Sequence, residues 1–162
     1  MINIACVLKT GGDFTWSDVD RLRNGIANHL SIPYRFVVLT DLLIEKSNDI
    51  IPLINDWPGW WSKLELFRPN IFIGPVIYFD LDTVIVGNID EILMNDFSFI
   101  ALQPWSVANQ KKGNFLLWIM GWKNSLGKPQ EIKYFQQEFS GIYSHKRHCR
   151  NRIPNDAVLI CR

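Results

Sequence analysis

A chain of 162 residues with 48% hydrophobic content has the size and composition of one soluble domain able to bury a core. Its formal net charge of +1 gives no electrostatic case for nucleic acid or a membrane surface as partner, and no apolar stretch reaches the roughly 18 residues of a transmembrane span. The start, Met1 to Leu8, lacks a basic lead and is too short for a secretion signal; the three cysteines, Cys6, Cys149 and Cys161, are few and odd in number. The start therefore reads as a first strand, and the cysteine count suits a reducing cytoplasm better than a disulfide framework.

Ile2 to Leu8 is an apolar run that enters the loop Lys9-Thr10-Gly11-Gly12, as a buried strand would. A helix follows, with Thr15 or Ser17 as its cap and Val19, Leu22, Ile26 and Leu30 at helical spacing. Pro33 closes that element, and Tyr34 to Leu39 reads as a second strand. A charged loop around Glu45 to Asp49 leads to a short apolar piece, Ile50 to Ile54. The block from Trp57 to Arg68 predicts a short helix stopped by Pro69, and Val76 to Phe79 a strand. Asn88 to Leu93 suggests one or two capped helical turns, and Phe97 to Leu102 a further strand. After the polar loop Asn109 to Gly113, the apolar stretch Phe115 to Trp122 is ambiguous between strand and helix. A helix beginning near Pro129 carries Ile132, Phe135, Phe139 and Ile142 on one face, and Ala157 to Cys161 reads as a last short strand. Strands alternating with helices, without repeat or linker, predict one α/β domain over residues 1–162 with a largely parallel sheet.

The segment that carries chemistry is Pro75 to Gly87, where Asp80 and Asp82 stand at the end of an apolar run. Burying a carboxylate is costly unless it is paired or bound to a cation. On a strand, residues two apart share a face, so the two aspartates are expected to point the same way and grip one hard divalent cation. Such a cation at the carboxyl end of a strand is a natural seat for a diphosphate, which points to a metal-dependent enzyme acting on a phosphorylated substrate. Lys9 to Gly12 lies at another strand end. Its glycines allow close backbone approach, and Lys9 is suited to a phosphate or ribose. A plain turn is the alternative reading of that loop.

The sequence Tyr78-Phe79-Asp80-Leu81-Asp82-Thr83-Val84-Ile85-Val86-Gly87-Asn88-Ile89-Asp90 resembles the DxD strand of GT-A glycosyltransferases, closest to family eight and its bacterial relatives. The upstream block Trp57-Pro58-Gly59-Trp60-Trp61-Ser62-Lys63-Leu64-Glu65-Leu66-Phe67 is similar to one in those relatives, and the opening strand with its Lys-Thr-Gly-Gly loop and Ser144 to Arg150 also look familiar. The resemblance implies a Rossmann-like three-layer α/β/α domain that binds a nucleotide sugar. It implies that Asp80 and Asp82 hold manganese, or magnesium, bridging the donor diphosphate. Leu81 would lie in the donor site between them, Lys63 near the donor, and Lys9, Thr10, Gly11 and Gly12 against the nucleoside. The activity implied is transfer of a hexose from a nucleotide diphosphate sugar, of UDP type, to a saccharide, lipid or protein acceptor with retention of configuration. No side chain declares itself as a catalytic nucleophile. The family's late His-Gly-x-x-Lys-Pro stretch, which supplies a third metal ligand, would begin about where this chain ends at Ile160-Cys161-Arg162, so a C-terminally truncated or minimal member is expected. Asn114 is at best a degraded counterpart of the acceptor-side Asn-Ser-Gly turn.

Other readings compete at the same residues. Asp80-Leu81-Asp82-Thr83-Val84 also fits the nucleophile motif of haloacid dehalogenase-type phosphatases, with Asp80 attacking phosphorus, although that motif sits on a first strand. A non-catalytic remnant that retains a nucleotide-sugar pocket is a further alternative. Asp90 is expected to start a helix rather than ligate; Trp57, Trp60 and Trp61 are open to stacking on a sugar or base, with at least two of them expected in the core. Lys63 is divided between a phosphate contact and a solvated helix position. His145, His148, Cys149 and Cys161 match no four-ligand zinc spacing, and Lys146, Arg147, Arg150 and Arg152 read as a solvated basic loop.

Overall fold

The computed structural model describes residues 1–42, 49–94, 99–102, 116–122 and 159–161. In chain order they form β1 (Ile2–Leu8), α1 (Trp16–His29), β2 (Tyr34–Thr40), β3 (Ile50–Pro52), a 3-10 helix (Gly59–Phe67), β4 (Val76–Phe79), β5 (Thr83–Ile85), α2 (Asp90–Met94), β6 (Phe99–Leu102), β7 (Leu116–Trp122) and β8 (Leu159–Cys161). Six strands make the central sheet in the order β3-β2-β1-β4-β7-β6, and β5 pairs with β8 in a separate ribbon. β1 runs parallel to both β2 and β4, β2 parallel to β3, and β7 antiparallel to its neighbours β4 and β6. Five of the six strands therefore run one way and β7 runs against them, a mixed α/β fold with a mostly parallel sheet as the sequence predicts. The ambiguous stretch before Trp122 is resolved as strand. The helix expected near Pro129, its face from Ile132 to Ile142, and the basic segment around His145 and His148 lie outside the described residues.

The central strands read as near-continuous apolar runs because both their faces are covered. Alternation sorts their side chains into two cores. Ile4, Cys6 and Leu8 of β1, Phe36 and Val38 of β2, and Ile77 and Phe79 of β4 pack with Val19, Leu22 and Ile26 of α1 on one face. Ala5, Val37, Leu39, Val76 and Tyr78 pack on the other face with Leu66 and Phe67 of the 3-10 helix and Trp122. The α1 spacing read from sequence is thus the spacing of its buried stripe. Thr15 is its cap: backbone φ is −130°, and the Asp18 carboxylate accepts the Thr15 amide at 2.7 Å and its hydroxyl at 3.0 Å. The end of α1 is clipped to α2, since Asp90 accepts both the amide of Ser31 at 2.8 Å and its hydroxyl at 2.6 Å. Asp90 starts α2, as its sequence position suggests, and also joins two helices.

Candidate functional site

β1, β2, β3 and β4 are parallel, so their carboxyl ends line one edge of the sheet. The chain fills strand positions outward from β1 to β3, then returns to place β4 on the other side of β1. Strand order reverses between β1 and β4, and open α/β sheets form their ligand crevices at such reversals. Lys9 to Gly12 follows β1 at this point and Asp80 follows β4. Asp41 follows β2, and residues 53–56 follow β3.

Asp80 and Asp82 do not extend β4. That strand ends at Phe79, and the Thr83 amide donates to the Asp80 carbonyl at 3.0 Å, closing a tight turn over residues 80–83. The shared strand face expected from spacing is corrected: the turn, not the pleat, brings the two carboxylates together. Leu81 between them is buried in the α1-side core, so its side chain anchors the turn and only its backbone is left for a ligand. Asp80 is held on both oxygens, by the Lys63 ammonium at 2.5 Å and by the Tyr78 hydroxyl. Asp82 is treated differently. Its Oδ1 is buried with no hydrogen-bond partner among the described residues. Burial first, and then the negative charge of Asp80, push its carboxyl above the usual carboxylate range. An orphaned carboxylate oxygen beside a second carboxylate is a donor set suited to a hard divalent cation. Among the described residues no third acidic, histidine or cysteine side chain joins them.

Lys63 comes from the 3-10 helix, and its ammonium also lies 5.6 Å from the Tyr78 ring centroid. It is neither solvated nor free at this site. Lys9 turns toward carboxylates as well, at 3.1 Å from Asp41 and 2.8 Å from Asp56. Thr10 donates its amide to Asp41 at 2.8 Å and its hydroxyl at 2.5 Å. Burial alone would raise the Asp41 carboxyl, but the Thr10 hydroxyl and amide and the Lys9 ammonium outweigh it and hold it at about 2. Gly11 adopts φ +79°, in the left-handed region that favours glycine, so the exposed loop is locked by a backbone requirement at one end and by Asp41 at the other. The structure therefore gathers Lys9 and Thr10 around Asp41, and Lys63 around Asp80, along one rim.

Sequence reasoning missed Asp41, Tyr78 and Glu65. Asp41 follows the apolar run of β2 just as Asp80 follows β4, and the same strand-end signal would have found it. Glu65 is buried and accepts the amides of Ile54 and Asn55 at 3.3 and 2.8 Å, the Asn55 side-chain amide, and the Arg68 guanidinium at 2.7 Å. It fastens the segment after β3 to the 3-10 helix. Between them the expected tryptophan core is absent: Trp57, Trp60 and Trp61 are 39, 59 and 41% exposed. With about 200 Å² per indole and about 25 cal/mol per Å², the rings forgo about 2 to 3 kcal/mol of burial each. The core position is taken instead by Leu66 and Phe67, the latter 4.7 Å from Trp122 between ring centroids.

No protein-family model matches the chain, and no curated protein does. Solved structures do match. The glycosyltransferase GlyE of Streptococcus pneumoniae TIGR4 superposes with a TM-score of 0.61 at 10% identity, covering 86% of this chain and 39% of that one. Its apo form gives 0.56 at 11% identity over 86% and 37%. The galactosyltransferase LgtC, in complex with donor and acceptor sugar analogues, gives 0.54 at 14% identity over 87% and 64%. The chain thus spans less than two thirds of each of these proteins. At such identities the likeness is one of fold: this chain has the mixed α/β architecture of GT-A glycosyltransferases.

Proposed function

We propose that residues 1–162 form one nucleotide-sugar-binding domain of a divalent-metal-dependent hexosyltransferase. The observation that carries this reading is the buried Oδ1 of Asp82, without a hydrogen-bond partner among the described residues, beside Asp80 on a turn next to the strand-order reversal. Asp80 and Asp82 would hold manganese or magnesium. When bound, the cation supplies Lewis-acid stabilisation of negative charge on the departing diphosphate. Tyr78 orients Asp80 through its hydroxyl. Lys63, at the same carboxylate, is positioned to exchange that partner for a donor phosphate. Asp41 fixes the Lys9 to Gly12 loop, whose backbone and side chains would meet the nucleoside of a UDP-type donor. The hexose passes to a saccharide, lipid or protein acceptor with retention, in keeping with the family-eight resemblance. A reducing cytoplasmic setting is in keeping with the few, odd-numbered cysteines of the sequence.

The phosphatase reading draws no support from the architecture, because Asp80 follows β4 rather than the first strand. Calorimetric titration with UDP and manganese tests the proposal directly. Manganese-dependent binding is expected in the wild type and its loss in Asp82→Asn. Unchanged binding in that variant would refute the ligand role. Release of free hexose or its transfer from a UDP-hexose panel separates an enzyme from a binding remnant.

A further inference from the structure

We infer that Trp57, Trp60 and Trp61 form a stacking platform for a pyranose ring of the acceptor, at the lip of the site. This rests on the transferase reading, since it takes the stacked saccharide to be the acceptor. The exposed run from Ile54 to Trp61 lies between two anchors that both belong to the rim already described. Asp56, next to Trp57, is paired with Lys9. Lys63, two residues after Trp61, is paired with Asp80. The aromatic segment is therefore tied at both ends to the rim that carries the carboxylates.

The platform is held in a fixed shape. Trp60 and Trp61 stack with ring centroids 4.3 Å apart and planes inclined by 26°, so each ring covers one face of the other and keeps one outer face. The Trp61 amide donates to the Pro58 carbonyl at 3.2 Å, and the Ser62 hydroxyl to the Gly59 carbonyl at 2.8 Å. Glu65 secures Ile54 and Asn55 from beneath. A stacked pair of half-exposed indoles, with the exposed Trp57 three residues before it in the chain, is a costly surface for a protein to keep without an occupant. A pyranose offers an apolar C–H face to an indole and hydroxyls at its edge. The carboxylate of Asp56, with its side chain 96% exposed, supplies a rim acceptor for those hydroxyls. An anionic lipid surface would meet that carboxylate as a like charge, and among the described residues the nearby lysines Lys9 and Lys63 are each already paired with a carboxylate.

The test uses the full chain without donor. Lactose, cellobiose and methyl β-D-galactopyranoside are titrated while tryptophan fluorescence and saturation-transfer NMR are recorded. At least one sugar should bind saturably in the millimolar range. Affinity should drop about tenfold in Trp60→Ala, while Trp60→Phe, which keeps an aromatic face, retains most of it. Binding of UDP with manganese should stay unchanged in both variants, which also shows that they are folded. The inference is overturned if no sugar of the panel binds, or if binding is indifferent to Trp60→Ala. It is equally overturned if phosphatidylcholine–phosphatidylglycerol vesicles, and not sugars, engage the tryptophans. Sugar binding without manganese-dependent UDP binding would remove the transferase reading and leave a saccharide platform; the converse would remove only the platform.

Discussion

At the residue scale, Asp82 in the turn after β4 and Asp41 after β2, on either side of β1, have opposite thermodynamic roles. Asp82 has a raised carboxyl, so the folded chain favours its protonated form, and its charge at neutral pH opposes folding. Asp82→Asn should therefore raise the melting temperature of the metal-free protein at pH 7, the gain shrinking as the pH falls. The same variant should lose all stabilisation by manganese. A metal-free melting temperature that drops instead would contradict the desolvated carboxylate described here. Asp41 is the reverse case. Its carboxyl, held at about 2, contributes stability present above the unfolded value of about 3.9 and lost as the pH falls toward 2. Asp41→Asn should cost about 1 kcal/mol at pH 7, and the difference from wild type should close below about pH 4, as read by urea denaturation across that range. Of these two residues the sequence singled out only Asp82. The importance of Asp41 depends on β1 and β2 lying side by side, which brings Thr10 and Lys9 to it across more than thirty residues of chain.

At the scale of elements, Glu65 ties the 3-10 helix to the segment leading into it. It is fully enclosed, and removing it leaves the Arg68 guanidinium and the amides of Ile54 and Asn55 to find other partners. Glu65→Ala should destabilise the protein by about 3 kcal/mol in urea denaturation. Faster hydrogen exchange at the Ile54 and Asn55 amides should accompany it, and unaltered exchange there would show that the carboxylate does not secure the segment. Periodicity in the sequence was sufficient for β1, α1, β2 and β4, because each buries a regular stripe or a whole run. It failed at the tryptophan block, where composition suggested a core and the chain instead turns its later residues inward. The signal lay in Leu66 and Phe67, which fill the space that the larger indoles were expected to occupy. The DxD pair was legible as a strand-end feature, but its geometry was not, because a turn hydrogen bond from Thr83 to Asp80 has no periodicity to betray it.

At the scale of the molecule, the alternation of strand and helix announced an α/β sheet, while the strand order did not follow from it. The return of the chain to β4 beside β1, and the reversed β7 beyond it, depend on pairings between distant segments that local patterns do not encode. The consequence for the candidate site is direct, since the Lys9 to Gly12 loop after β1 and the turn bearing Asp80 after β4 stand on the two sides of that reversal. Strand order also has a consequence for Cys6. It sits on β1, with β2 on one side and β4 on the other, and burial pushes its thiol up to about 12. A local fluctuation at the sheet margin does not uncover it. In a Cys149→Ser, Cys161→Ser background, alkylation of the remaining sulfur should proceed at the pace of whole-domain opening and accelerate with urea along the global unfolding curve. Cys6 would then serve as an internal clock for how often this domain comes apart.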